Sequence, residues 1–290
     1  MSKNILITGG DGFVGRHLLS YLENQKFKIF TCDISDGDIS CDDISAIFNE
    51  DIRIDHVIHL AAKTFVPESW EDPFSFYKTN FMGTINILEF CKKHECSMTY
   101  VNTYVYGDPE YLPIDEKHNI APNTPYNHSK VLAEEACEFY CQYMGLDVTV
   151  LRVFNVFGVG QGRRFLIPQI IADVLDSNKS KIEVKNLAPK RDYIYIDDLV
   201  KAIALTIGSG DKFNVYNIGT GKSYSVNDII EIVQSIAETN KPIISTNQVR
   251  KNEVMDVYAD ISKAKKDLGF EPATTLEAGL REIIKTIKCV

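Results

Sequence analysis

Five features arrive in a fixed order at the start of this chain and constrain it more than anything that follows: strand, glycine loop, helix, strand, carboxylate. The apolar run Asn4–Thr8 leads into Thr8-Gly9-Gly10-Asp11-Gly12-Phe13-Val14-Gly15. Glycines at 9, 12 and 15 allow a tight turn, a close approach by a pyrophosphate and a close helix. The helix that follows aims its unpaired N–H groups and the positive end of its dipole at that phosphate. Asp33 closes a second apolar run, Lys28–Asp33, 18 residues beyond Gly15, which is the spacing of an acid that binds an adenosine ribose. Turns also use glycine, so the glycines alone would be a weak sign; the ordered context makes them a dinucleotide-binding loop.

The pattern continues through the first half. Strands are expected at His56–Leu60, Ser97–Asn102 and Asp147–Val153, with helices at Phe13–Asn24, Ile44–Asn49, Pro73–His94 and Asn127–Tyr143. Short apolar runs alternating with amphipathic segments are the mark of βαβ units. The fold class is α/β, a Rossmann-type doubly wound parallel sheet with a smaller C-terminal substrate domain. The second half is broken by Gly158, Gly160, Gly162, Pro168, Pro189, Gly219 and Gly221. The expected division is therefore 1–157 for the NAD-binding domain, with 191–216 returning to it, and 158–290 for the substrate domain.

Composition excludes several classes. The 290 residues are 44% hydrophobic and 24% charged, a globular balance. With 31 Lys and Arg against 40 Asp and Glu the net charge is −9, which argues against a nucleic-acid partner because phosphate binding needs an excess of cations. Seven cysteines, an odd number in a chain of this size, fit reduced thiols better than disulfide staples. Cys91, His94 and Cys96 lack a second pair at zinc spacing, so no metal is expected. The sequence carries neither a signal-peptide-like start nor an apolar run of membrane-spanning length. The expectation is a soluble cytoplasmic protein with no membrane partner.

Asp33 also bears on the cofactor. Its carboxylate can accept from both ribose hydroxyls and would repel a 2′-phosphate, so NAD is expected over NADP. The cofactor residues read from this segment are Gly9, Asp11, Gly12, Phe13, Val14, Gly15 and Asp33, with Asp38 and Ile39 bordering the adenine.

In Tyr126-Asn127-His128-Ser129-Lys130 the tyrosine and lysine stand at i and i+4, one above the other on a helix. A cation beside a phenol stabilises the phenolate and brings it toward the range of a general base. Tyr126 would take a hydroxyl proton while a hydride leaves the same carbon. Such a pair alone is common on protein surfaces; behind a dinucleotide loop it carries more weight.

Taken with these motifs, the chain resembles the extended short-chain dehydrogenase/reductase family, in its NAD-dependent nucleotide-sugar epimerase/dehydratase branch, over nearly all its length. The resemblance is carried further by His59-Leu60-Ala61-Ala62, Asn80 with Gly83-Thr84, Tyr106-Gly107, Arg152-Val153-Phe154-Asn155-Val156-Phe157-Gly158, Lys190-Arg191-Asp192, Asn217-Ile218-Gly219-Thr220-Gly221 and Asp260-Ile261-Ser262-Lys263-Ala264. It implies that Lys130 holds the nicotinamide ribose and that Leu60, Ala61, Ala62 and Lys63 line the cofactor. It further implies that Asn155 touches the sugar nucleotide, Arg191 its diphosphate, and Arg250 with Glu253 its nucleoside. His59 reads as packing, and His128 as facing solvent or a neighbouring helix.

One departure stands out. The family places a Ser or Thr five residues before the glycine of its Tyr-Gly pair, and here that position is Asn102, with Thr103 next to it. Thr103 is taken as the residue that orients the reacting hydroxyl, with Asn102 as a substrate-binding substitute. Three chemistries suit the scaffold: 4-epimerisation through a transient 4-keto sugar, net oxidation or reduction at C4, and 4,6-dehydration. A cofactor regenerated in each turnover suits NAD, so the epimerase is the first reading, a C4 ketoreductase or dehydrogenase the second, and a non-catalytic NAD-binding regulator the third. Dehydration is not expected, because no carboxylate follows Thr103 directly. Apolar residues Phe81, Ile85, Leu88, Leu132, Phe139 and Tyr140 suggest a homodimer paired through two helices.

Overall fold

The computed structural model describes residues 2–23, 25–41, 44, 52–208, 212–248 and 253–289. Six parallel strands form the central sheet: β1 (Lys3–Thr8), β2 (Phe27–Cys32), β3 (His56–His59), β4 (Ser97–Thr103), β5 (Val148–Val153) and, after three strands elsewhere, β9 (Phe213–Ile218). Their order across the sheet is β2-β1-β3-β4-β5-β9. The direction of winding reverses at β1, which pairs with β2 on one side and β3 on the other. A doubly wound sheet opens a crevice at such a switch point, beyond the carboxyl ends of its strands. The glycine loop after β1 and Leu60-Ala61 after β3 both stand there.

Helices cover both faces, which is why β1 and β5 are apolar along most of their length. Successive strand residues face opposite ways. Ile5 and Ile7 enter one core cluster with Leu18, Leu22, Leu199 and Ile203, and Leu6 enters the other with Ile87, Leu88, Phe90 and Cys137. The first cluster belongs to the side of the Phe13–Glu23 and Ile196–Leu205 helices, and the second to that of Gly83–His94 and Pro125–Met144. The expected helix over Pro73–His94 is one helical run, with a wider π turn at Tyr77–Met82 between two α segments. The stretch expected at Ile44–Asn49 lies outside the described residues apart from Ile44, which is buried.

At Phe154 the chain leaves the central sheet. β6 (Asn155–Phe157) pairs with β8 (Lys190–Tyr195), which β10 (Ser223–Ser225) and β12 (Asp256–Val257) flank. A separate two-stranded ribbon joins β7 (Ile182–Val184) to β11 (Ile243–Ser245). The first core cluster runs without a break into this half through Ile167, Ile171, Ile229 and Leu280, so shared apolar packing fixes one half against the other.

Candidate active site

The glycine loop is shaped by close contacts. Gly9 has φ +76°, a conformation favouring glycine, and a Cβ there would sit 2.8 Å from the Ala61 nitrogen. At Gly15 a Cβ would collide with the carbonyl oxygens of Gly9 and Gly10, so the Phe13–Glu23 helix can start this close to the loop only with glycine at that position. Gly12 donates its N–H to the Gly9 carbonyl. The half-buried Phe13 packs edge-on to His17. Asp33 is 8% exposed, and its Oδ1 accepts the Asp11 N–H at 2.9 Å. Burial holds its carboxyl above the usual carboxylate range. The loop, Asp33 and the start of the helix thus form one cradle that a Cβ at 9 or 15 would fill.

The two residues expected at the adenine part company. Ile39 is buried in the core against Gly83, while Asp38 binds the Ser40 N–H and hydroxyl and lies 3.8 Å from the Lys78 ammonium. Hydrogen bonds from Ser40 hold the Asp38 carboxyl below its usual value. The Ile39 side chain packs in the core, where the helix at Gly83 leaves room for it.

Across the crevice, the Ala61 N–H donates to the Thr8 hydroxyl at 3.3 Å. That hydroxyl meets His59 Nδ1 at 2.7 Å, and His59 Nε2 meets the Thr84 hydroxyl at 3.1 Å. His59 is fully enclosed, as its reading as packing required, and burial pushes its pKa down to about 3. Asn80, in the π turn, accepts the Lys63 N–H and donates to the Lys63 carbonyl and the Ser129 hydroxyl. It clamps the end of the β3 loop to the helix that carries Tyr126. The Lys63 ammonium pairs with Glu68 at 2.8 Å and with the Ser75 hydroxyl.

Thr124 caps the Pro125–Met144 helix by accepting the Asn127 N–H, and Tyr126 and Lys130 follow within its first two turns. The Thr103 side chain stands beside the Tyr126 hydroxyl. Burial pushes Tyr126 up to about 12, and the neighbouring Thr103 opposes that rise. The Lys130 ammonium donates to the Val101 carbonyl at 2.9 Å and lies 4.2 Å over the Tyr100 ring. Burial brings Lys130 down to about 7, against the pull of Cys137 and Glu134. His128 is exposed and meets the Tyr77 hydroxyl at 3.0 Å, on a neighbouring helical segment.

Asn102 is not brought to this site. It is 4% exposed, its amide donates to Glu134, and its oxygen accepts the Thr103 N–H. Neighbouring strand positions face opposite ways, so with Thr103 at Tyr126 the side chain of Asn102 is spent elsewhere. This corrects the expectation that Asn102 stands in for Thr103.

Thr103 lies opposite Val153, and two residues beyond Val153 Asn155 opens a cavity of about 530 Å³ between the Leu166–Leu175 helix and the strands of the second half. Its volume is in the range of small-ligand pockets. Asn155, Arg191 and Glu253 all line it. Arg191 donates to the Lys190 carbonyl. Of the two carboxylates that would give Arg191 a purely structural ion pair, Asp192 is held by the N–H groups of Thr220, Gly221 and Ala259, and Asp197 lies 3.9 Å from His17 Nδ1. Glu253 accepts from the Asn186 amide at 2.9 Å. Arg250 lies outside the described residues.

Several contributors carried no signal at the level of the sequence. Asn186, Gln161 and Phe165 line the cavity without a motif of their own. Glu134 is a helix residue among other acids, and only its burial against Arg152 marks it. Asn80 and Asp192 stood inside recognised motifs, so their clamping roles were within reach of the sequence although their partners were not.

The family model described as GDP-mannose 4,6 dehydratase matches residues 22–283. The chain belongs to that family. It is a member of the extended short-chain dehydrogenase/reductase group of nucleotide-sugar epimerases and dehydratases, as its motifs implied. It is 33% identical to the putative UDP-glucose 4-epimerase of Methanocaldococcus jannaschii, over 98% of each chain. The UDP-glucose 4-epimerase of Thermotoga maritima, solved with UDP-glucose, matches with a TM-score of 0.92 at 28% identity and 99% coverage of both chains. The enzyme RMD of Pseudomonas aeruginosa, solved with NADPH, matches at 0.88 with 29% identity and 98% coverage of both. Family members of this kind therefore include epimerases, reductases and dehydratases, and solved members carry NAD or NADPH. Among the described residues no group of three metal-ligating side chains is present, and no helix is long and apolar enough to cross a membrane.

Proposed function

We propose that this protein is an NAD-dependent enzyme acting at C4 of a nucleotide-diphosphate sugar, as a 4-epimerase. The observation that carries this reading is the placement of Thr103, the last residue of β4, beside Tyr126, with Lys130 one turn further along the helix. The Gly9–Gly15 cradle would hold the pyrophosphate of NAD and Asp33 its adenosine ribose, and the bound cofactor would supply a reversible hydride acceptor for C4. Tyr126 takes the proton of the C4 hydroxyl as the hydride leaves. Thr103 orients that hydroxyl, and Lys130 favours the phenolate and holds the ribose beside it. Tyr126 would give its proton back to the C4 oxygen as the 4-keto sugar is reduced on its other face, which would complete inversion without net redox change.

Asn155, Arg191 and Glu253 are assigned to the sugar nucleotide, with Arg191 as the fixed cation its diphosphate needs, and Arg250 is assigned with Glu253 to the nucleoside. The NAD lobe is assigned to residues 1–157 with 191–216 returning to it, and the substrate lobe to 158–290; the return of the Ile196–Leu205 helix and of β9 to the central sheet supports that division. The seven cysteines are free thiols, the state a reducing cytoplasm maintains.

Dehydration at C5 and C6 is not part of this proposal. After Thr103 come Tyr104, stacked on Phe154, and the fully buried Val105, while Asp108 and Glu110 are exposed beyond Gly107. An acid/base group has to reach the proton it moves, and the two positions directly after Thr103 hold no carboxyl group. Net reduction at C4 is the second reading, favoured by the similarity to RMD with its NADPH. One experiment separates the three. The protein is incubated with NAD or NADP and UDP-, dTDP-, GDP- and CDP-hexoses, and products are read by mass spectrometry and by NMR at C4. Inversion at C4 without NADH accumulation supports the epimerase, net NADH formation or consumption the oxidoreductase, and catalytic loss of water would overturn the exclusion of dehydration.

A further inference from the structure

Behind Thr103 runs a buried polar chain that no step of the proposed reaction uses. Glu134 stands four residues beyond Lys130, so the two side chains share one face of the helix. The Glu134 carboxylate accepts Arg152 Nε at 3.2 Å to each oxygen and Arg152 Nη2 closer still, and the two side chains are 8% and 5% exposed. A pair that only joined this helix to β5 would need nothing from β4. Here Glu134 Oε2 also accepts the Asn102 amide at 2.5 Å, and Asn102 Oδ1 accepts the Thr103 N–H at 2.8 Å.

A carboxylate can only accept hydrogen bonds. It therefore fixes which end of the Asn102 amide faces it, nitrogen toward Glu134 and oxygen toward Thr103. The last residue of β4 is thereby tied, through one amide, to the helix that carries Tyr126 and Lys130.

We infer that Glu134 is a positioning residue for the Thr103–Tyr126 pair, acting through Asn102, with Arg152 holding its carboxylate in place. The inference rests on the reading of Tyr126 as the acid/base group and Thr103 as its hydroxyl partner. Small misplacements of such a pair are costly in turnover, whereas substrate and cofactor are gripped elsewhere, by the cavity and the glycine loop. The role is thus one of turnover and not of affinity.

Two variants test it. Glu134→Gln frees the Asn102 amide to turn over but leaves Arg152 without its counter-ion, and so weakens the fold. Asn102→Ala keeps the Glu134–Arg152 pair whole and cuts only the link to Thr103. In both, kcat should fall by about 10- to 100-fold, with KM for the sugar nucleotide and the dissociation constant of NADH within about twofold of the parent. A crystal structure of Asn102→Ala should show the Thr103 hydroxyl moved away from Tyr126 relative to the parent. Parental kcat with a lowered melting temperature in both variants would make the chain purely structural and overturn the inference. A rise in KM in Asn102→Ala alone would overturn it too, since Asn102 would then touch the sugar itself. If the parent enzyme turns over no nucleotide hexose, the functional reading falls, and the Thr103–Tyr126 distance in the Asn102→Ala crystal structure decides the positioning role by itself.

Discussion

Tyr126 and Lys130 are both held where their charged forms are disfavoured, the phenol pushed up to about 12 and the ammonium down to about 7. A bound cationic nicotinamide and the shared helix face would draw the phenol back toward neutral pH. Replacing Tyr126 by Phe is expected to cut turnover by roughly 10²–10⁴ while leaving NADH binding almost intact, as measured by titration; turnover at the parental rate would remove Tyr126 from the base role. Lys130→Met should lower both turnover and cofactor affinity. The two enclosed histidines give a prediction of a different kind. His56, bonded to the Ser97 and Thr99 hydroxyls, and His59 are both pushed from near 6.5 down to about 3 by burial. Between those values the unfolded chain binds more protons than the folded one, so stability rises with pH across that window. It is fully present above about 6.5 and is lost progressively on acidification. Urea midpoints taken from about pH 7 to about pH 4 should fall, and a His56→Asn variant should show a flatter dependence.

At the scale of the element, the Pro125–Met144 helix owes its start to one side chain. Thr124 is extended, and its hydroxyl accepts the Asn127 N–H at 3.0 Å, satisfying a donor that the helix itself cannot. Thr124→Ala should cost about 1 kcal/mol, seen as a melting temperature lower by about 2–4 °C. Because Tyr126 lies in that first turn, the same change should lower turnover more than it lowers NADH affinity. The π turn at Tyr77–Met82 works in a similar way on the neighbouring helical run. Its wider spacing seats the buried Asn80 between Lys63 and Ser129, linking the cofactor side of the crevice to the catalytic helix.

For the molecule as a whole, two helices leave apolar side chains uncovered. Leu88 and Tyr140 are buried, but Met82 at 45%, Phe139 at 51%, Tyr143 at 66% and Met144 at 40% are exposed. Such residues at the ends of the Gly83–His94 and Pro125–Met144 helices suit pairing with a second copy. The expected result is a dimeric mass in sedimentation at micromolar concentration, shifted toward monomer by Phe139→Glu. A monomeric parent would defeat the dimer.

The sequence by itself determined what depends on local order. Period-two apolar runs, glycines in a strand-to-helix turn and a tyrosine four residues before a lysine set the sheet, the cofactor loop and the catalytic helix, because each depends on neighbours a few residues away. Strand ends came within a residue or so of Lys3–Thr8, Phe27–Cys32 and Ser97–Thr103 for the same reason. Which of Asn102 and Thr103 faces Tyr126 was open in the sequence, because strand alternation says that they differ and not which way each points. The structure settles the direction through Glu134 and Arg152, which lie 32 and 50 positions beyond Asn102 and meet it only once β4, β5 and the helix are packed. That the Ile39 side chain packs on Gly83, 44 positions further along, likewise lay outside what the sequence could show. Hydrogen bonds and cavities made between distant segments exist only after the core has brought those segments together, and this is why the fold was legible in advance while the contacts around the candidate site were not.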